Sequence, residues 1–223
     1  MLLLSLLAGA AWADVGATLS VQTDARDRGL SYSDGKPSAQ LGLTWDGEGG
    51  WYAGASMSRP RFARHSGAAL RVYAGRVLEL QPGLNAEAGL LAHRFENVSS
   101  YDYAEAYAGV LGERWNLRVY MSPDYYGIGQ RSLYAELNLR WPLSEGIAAV
   151  GHAGLLRGWG GMTSGYVEPD GAARVDFRAG ASFQFGESGE LQLVWVAASR
   201  GGPYTWINAE RRRAAVLSVT LAF

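Results

Sequence analysis

The residues of this chain that could do chemistry are charged side chains set into segments where every second residue is apolar. Asp24, Arg71, Glu87, Glu105, Arg118, Glu136, Arg140, Asp176 and Arg178 all fall on the non-apolar phase of that alternation. Acid–base or nucleophilic catalysis would need one of them to hold a base within reach of a nucleophile, with a third group orienting the base. His65 and His152 have no acidic or amide neighbour in sequence, while His93 precedes Glu96 and Asn97. His93 could face Ser20 or Ser56, but a lipid-modifying site belongs on an outer wall, so a hydrogen-bonded internal histidine is the expectation. No His-x-x-x-His spacing occurs and cysteine is absent, which removes disulfides, thiolate chemistry and cysteine-based zinc sites. No catalytic residue, metal ligand or cofactor is therefore expected. The mixed signs suit either a water-filled lumen crossed by a transverse field or a set of internal ion pairs that closes it.

The elements that must position these groups are strands. The 223 residues suit one domain, and 30 glycines with 8 tryptophans and 12 tyrosines favour β structure with many turns. Period-2 stretches fall at 15–24, 38–46, 50–58, 70–77, 84–93, 103–110, 115–122, 132–141, 147–156, 174–185, 190–198 and 214–223. One face of each is almost wholly apolar, as in Leu133, Ala135, Leu137, Leu139 and Trp141, or Leu217, Val219, Leu221 and Phe223. Arg76 is the one charge on these faces, near a strand end from which it could snorkel.

Alternation does not say which face points inward, since a soluble barrel and a membrane barrel share it with opposite sense. Two patterns decide. Connections alternate between short (47–49, 78–83, 111–114, 142–146, 186–189) and long (25–37, 59–69, 94–102, 123–131, 157–173, 199–213). Short periplasmic turns and long extracellular loops are the rhythm of an outer-membrane barrel. Trp45, Trp51, Trp115, Trp141, Phe185 and Phe223 all fall on the apolar face at the short-turn ends, as an interfacial aromatic girdle would. Met121, Tyr101 and Trp195 are weaker candidates for an opposing girdle. The expected fold is a 12-stranded antiparallel transmembrane β-barrel over residues 14–223, with its apolar face toward lipid.

Residues 2–10 form an apolar run too short to cross a bilayer as a helix, followed by Ala11-Trp12-Ala13. This reads as a signal peptide over residues 1–13, although the basic segment usual to such leaders does not precede it. The long connections collect arginines, among them Arg59, Arg61, Arg64, Arg94, Arg131, Arg157 and Arg211 to Arg213, while the short turns carry Glu48, Glu79, Glu113, Glu145 and Glu187. Guanidinium groups bind phosphate bidentately, so lipopolysaccharide is an expected partner, with attraction of anionic solutes the alternative. The closing strand is the expected handle for the barrel-assembly machinery. With a formal charge of −1 there is no global signal for nucleic acid.

The first long connection reads Arg28-Gly29-Leu30-Ser31-Tyr32-Ser33-Asp34-Gly35-Lys36-Pro37-Ser38-Ala39. It resembles the Arg-Gly-x-Ser-x-Ser-Asp-Gly-x-Pro-Ala segment of the TorF family, a proteobacterial group of porin-like proteins of otherwise undefined function. Gly50-Trp51-Tyr52-Ala53-Gly54, Ser122-Pro123-Asp124-Tyr125-Tyr126-Gly127 and Leu133-Tyr134-Ala135-Glu136 extend the resemblance over most of the chain. It implies an outer-membrane barrel with a pore, and no catalytic residues. Physically the loop motif, with Arg28, Gly29, Asp34 and Gly35, is a turn-rich connection ended by Pro37. The alternative is that Arg28 and Asp34 pair and fold the loop over the mouth.

Twelve strands lie between small filled barrels and open porins. The expectation is a narrow passive channel for small hydrophilic solutes. A non-conducting structural or surface-binding barrel is the second reading, and an outer-membrane lipid hydrolase the third.

Overall fold

Alternation over stretches this long leaves each strand one apolar and one mixed face, and closing the sheet is what pairs every backbone group. A computed structural model describes residues 14–62, 65–160, 173–203 and 211–223. The leader at 1–13, Arg64, the His65 side chain and most of the connection 157–173 lie outside the described residues. Twelve strands form one closed antiparallel barrel. They are β1 (Asp14–Gln22), β2 (Ser38–Asp46), β3 (Trp51–Ser58), β4 (Ala69–Gln81), β5 (Leu84–Phe95) and β6 (Tyr103–Gly112). The rest are β7 (Trp115–Ser122), β8 (Arg131–Ser144), β9 (Ile147–Trp159), β10 (Ala173–Phe185), β11 (Gly189–Ala198) and β12 (Arg213–Ala222).

Each strand pairs with the next, and β12 returns to β1 with Leu19 opposite Leu221 and Ser20 opposite Thr220. Phe223 completes the seam, its backbone N–H donating to Ala17 at 2.9 Å and its carbonyl accepting from Ala17 at 3.1 Å. Inside the seam the hydroxyls of Ser20 and Thr220 lie 2.9 Å apart.

Several boundaries differ from the sequence expectation, the later ends of β5, β6 and β9 among them, and three have a local cause. β1 ends at Gln22, so Asp24 lies in a bend and not on the strand. β4 runs to Gln81 because Leu78 and Leu80 continue its outward apolar row, leaving Pro82 and Gly83 as the turn to β5, with Gly83 at φ +77°. β8 extends to Ser144 through a register shift between Pro142 and Ser144, where proline has no N–H to offer the ladder.

The barrel interior contains an apolar core. Leu30, Tyr125, Tyr126 and Leu156 are fully buried and pack with Phe95, Tyr103 and Tyr134. Leu30 belongs to the loop joining β1 to β2 and the two tyrosines to a 3-10 turn, Tyr125–Gly127, between β7 and β8. Both connections fold down into the lumen. Below them, inward tyrosines lie flat against glycines of adjacent strands: a Cβ on Gly75 would meet the Tyr52 hydroxyl at 2.6 Å.

Candidate functional site

The inward-folded first loop is built around one carboxylate. Asp24 accepts from Arg26 Nε at 2.8 Å and from the Ser31 hydroxyl at 2.6 Å. Ser31 in turn accepts from the Gly35 N–H at 2.8 Å, while Ser33 accepts from the Ala25 N–H at 2.9 Å and donates to the Lys36 carbonyl at 2.6 Å. Arg26–Asp27 and Leu30–Ser31 pair as a miniature ribbon. The Ser-x-Ser-Asp-Gly spelling is thus a loop that satisfies its own polar groups, which is what lets it leave water. Asp24 is 4% exposed and serves this network, so it does not line the lumen as the sequence suggested.

The tip of the loop reaches the far wall. Arg28 Nη2 lies 2.7 Å from both carboxylate oxygens of Glu105 on β6, and the two side chains are 7% and 0% exposed. The guanidinium also lies over Tyr134 at 4.5 Å and Tyr125 at 5.1 Å, a cation held by aromatic faces. Burial pushes the Tyr125 phenol up to about 12, against the opposing effect of Arg28, so it stays neutral. Gly29, at φ +81°, abuts β10 and β11, where a Cβ would sit 2.5 Å from the Asp176 Cβ and 2.8 Å from the Ala198 Cβ. The alternative Arg28–Asp34 pair is not formed: Arg28 goes to Glu105, and Asp34 is left 3.5 Å from Lys36 at the surface.

The far wall is filled. Glu105 also meets His93 Nε2 at 3.3 Å, and His93 stacks on Tyr103 at 4.1 Å. Arg118 clasps Glu87, which further accepts from the Tyr52 hydroxyl at 2.9 Å. Tyr120 donates to Glu136 at 3.3 Å. His152, isolated in sequence, is brought within 2.9 Å of Asp176 and 2.7 Å of Asn138 by pairing with the adjacent strands. Arg178 lies half-buried one register position from Asp176 on the same face, and Arg140 pairs with Glu190 at 2.7 Å lower down.

The near wall is different. Thr18, Ser20 and Gln22 of β1, Gln40 and Thr44 of β2, and Ser56 and Ser58 of β3 all point inward and are half-exposed along the height of the barrel. Between this wall and the first loop, at the long-loop end, lies a cavity of about 90 Å³. Gln22, Gln40, Ser56 and Ser58 line it, with Arg71 and Asp27 facing one another at 3.5 Å. The Arg71 side chain is 44% exposed, against 19% or less for Arg28 and Arg118.

The nine charges that the sequence puts inside therefore divide. Glu87, Glu105, Arg118, Glu136 and Asp176 belong to internal networks and Asp24 to the loop; Arg71 borders open space, Arg140 is partly exposed in its pair, and Arg178 is half-buried. Sequence reasoning passes over Asp27 and, although it puts tyrosines on the inward face, gives none of them a role. The Ser122–Gly127 segment was noticed, but nothing in its spelling tells that Tyr125 and Tyr126 turn inward.

Trp45, Trp51, Trp115, Trp141, Phe185 and Phe223 sit outside, exposed, at the short-turn end. Arg76 donates to the Gly49 carbonyl at 3.0 Å and covers the Trp51 ring. At the long-loop end Met121, Trp195 and Trp159 are exposed outside, whereas Tyr101 packs inward, edge-on to Tyr126.

A closed barrel of this topology with an outward apolar face has known counterparts. Residues 8–222 match the family described as bacterial protein of unknown function (Gcw_chp). The chain belongs to this family. No curated protein matches it. Among solved structures it is similar to the KdgM porin, with 9% identity and a TM-score of 0.55 over 95% of this chain and 99% of that one. It is similar to the NanC porin, with 8% identity and a TM-score of 0.56 over 94% and 98%. The COG4313 outer membrane channel from Pseudomonas putida F1 gives 16% identity and a TM-score of 0.52 over 96% of both chains. At these identities the likeness concerns the fold: a 12-stranded antiparallel barrel of the kind seen in outer-membrane channels.

Proposed function

We propose that this Gcw_chp protein resides in the bacterial outer membrane and forms a narrow passive diffusion channel for small hydrophilic solutes. The observation that carries this reading is the half-exposed row of hydroxyl and amide side chains along β1, β2 and β3, beside a lumen otherwise packed. Such a row hydrates a passing solute without binding it tightly, as conduction requires. The TorF-like spelling of the first loop and the porin-like fold support the same reading. So do the apolar run at 2–10 with Ala11-Trp12-Ala13, read as a signal peptide over 1–13, and the six aromatics, read as a periplasmic girdle. Arginines at the long-loop rim, such as Arg131 and Arg157, would meet lipopolysaccharide phosphates, and β12 would engage the assembly machinery. Planar-bilayer recording of the purified barrel tests the proposal. Discrete, small conductance steps are expected; a correctly folded and electrically silent barrel would overturn it. The second reading, a non-conducting barrel, is favoured by one observation, the fully buried core that the first loop and Tyr125–Gly127 build inside the lumen.

A further inference from the structure

We infer that the cavity between the first loop and the β1–β4 wall is a site for small zwitterions, of which α-amino acids with short side chains are the best-fitting class. This rests on the channel reading and names what the channel prefers.

The argument starts from how the internal ion pairs differ. Arg28 with Glu105 and Arg118 with Glu87 are tight and largely buried, so their charges are consumed. Arg71 and Asp27 face each other at 3.5 Å, with 44% and 17% of their side chains exposed, and among the described residues are the loosest and most open of the pairs inside the barrel. The second oxygen of Asp27 is held no more firmly, by the Tyr126 hydroxyl at 3.4 Å. One partner stands on the barrel wall and the other on the loop, so the pair borders the cavity where the two meet.

Guanidinium recognises a carboxylate with parallel N–H donors, and a carboxylate recognises an ammonium by charge-assisted hydrogen bonds. A lone anion on Arg71 would stand a few ångströms from Asp27, and a lone cation on Asp27 equally close to Arg71; each pays a like-charge penalty. A molecule carrying both charges a few ångströms apart, as an α-amino acid does, answers both partners at once. The surrounding amides and hydroxyls of Gln22, Gln40, Ser56 and Ser58 can bridge to either end through water. Size points the same way. The cavity, at about 90 Å³, is small, which favours a short side chain over a long one.

Isothermal titration of the purified barrel in detergent micelles with L-alanine, acetate and ethylammonium tests the site. L-Alanine should bind at least about tenfold more tightly than either single-charge probe. Arg71→Gln and Asp27→Asn should each abolish that preference, and the exchange Arg71→Asp with Asp27→Arg should restore part of it. Acetate or ethylammonium binding as tightly as L-alanine, or no binding of L-alanine, overturns the inference. If a variant fails to fold, block of the wild-type current decides: L-alanine should reduce that current where equal acetate does not. The two readings fail separately, because a conducting barrel blind to L-alanine sinks only the site, and a silent barrel that binds it sinks only the channel.

Discussion

The wall made by β1, β2 and β3 and the wall made by β6 to β10 obey the same alternation, yet they treat the lumen in opposite ways. The first turns Thr18, Ser20, Gln40, Thr44 and Ser56 inward and leaves them half-exposed. The second turns Tyr103, Glu105, Tyr134, Asp176 and their neighbours inward and buries them. The difference lies less in the strands than in where the first loop docks. It leaves β1 at the near wall, crosses the lumen and delivers a cation to Glu105, while Gly29 allows close contact with β10 and β11. One side of the interior becomes a protein core, while on the other side inward residues such as Thr18, Ser20, Gln40, Thr44 and Ser56 stay half-exposed. A barrel of twelve strands is thereby stabilised from within on one side, and the proposed channel would run along the other.

Removing the cation should break this contrast most strongly. Arg28→Ala strands the Glu105 carboxylate in a site with 0% exposure, and loss of one partner of a buried pair costs about 3–5 kcal/mol. The unfolding midpoint of the barrel should fall and its conductance rise as the loop lifts; unchanged values for both would show that the loop is not held by this pair. Gly29→Val comes next, since a β-branched side chain at φ +81° faces strain of about 1–3 kcal/mol besides its encounter with Asp176 and Ala198. Limited proteolysis should then cut the first loop at a rate the wild type does not show. Ser33→Ala removes one node of the loop network and should cost about 1 kcal/mol in a denaturant titration, with conductance little changed. On the opposite wall, Ser56→Trp should leave stability within about 0.5 kcal/mol yet reduce conductance several-fold, because it fills space and disturbs no packed group.

Much of the barrel was legible in the residues. Clean period-2 rows such as Leu133 to Trp141, and the rhythm of short and long connections, are local signals that closure only completes. The division of the interior was not. Alternation says that Glu105 and Ser56 both point inward, but not what each meets there. Arg28 is 77 positions from Glu105, and no local pattern links them. His152 shows the same limit, because its partners Asp176 and Asn138 arrive through pairing with neighbouring strands. One usable signal was present: the inward residues of β1 to β3 are mostly small, while those of β6 to β10 are mostly large. Side-chain volume, read on one face, points to where space remains.

The chain has no cysteine, so single cysteines can report on each wall without background. The decisive measurement is the reaction of Ser56→Cys and Ser20→Cys, against Ser122→Cys and Ser132→Cys, with a membrane-impermeant thiosulfonate during bilayer recording. The account predicts rapid modification of the first two with a fall in current, and protection of the second two, whose serines are fully buried. Equal reactivity on both walls, or modification of Ser56→Cys without any change in current, would contradict it.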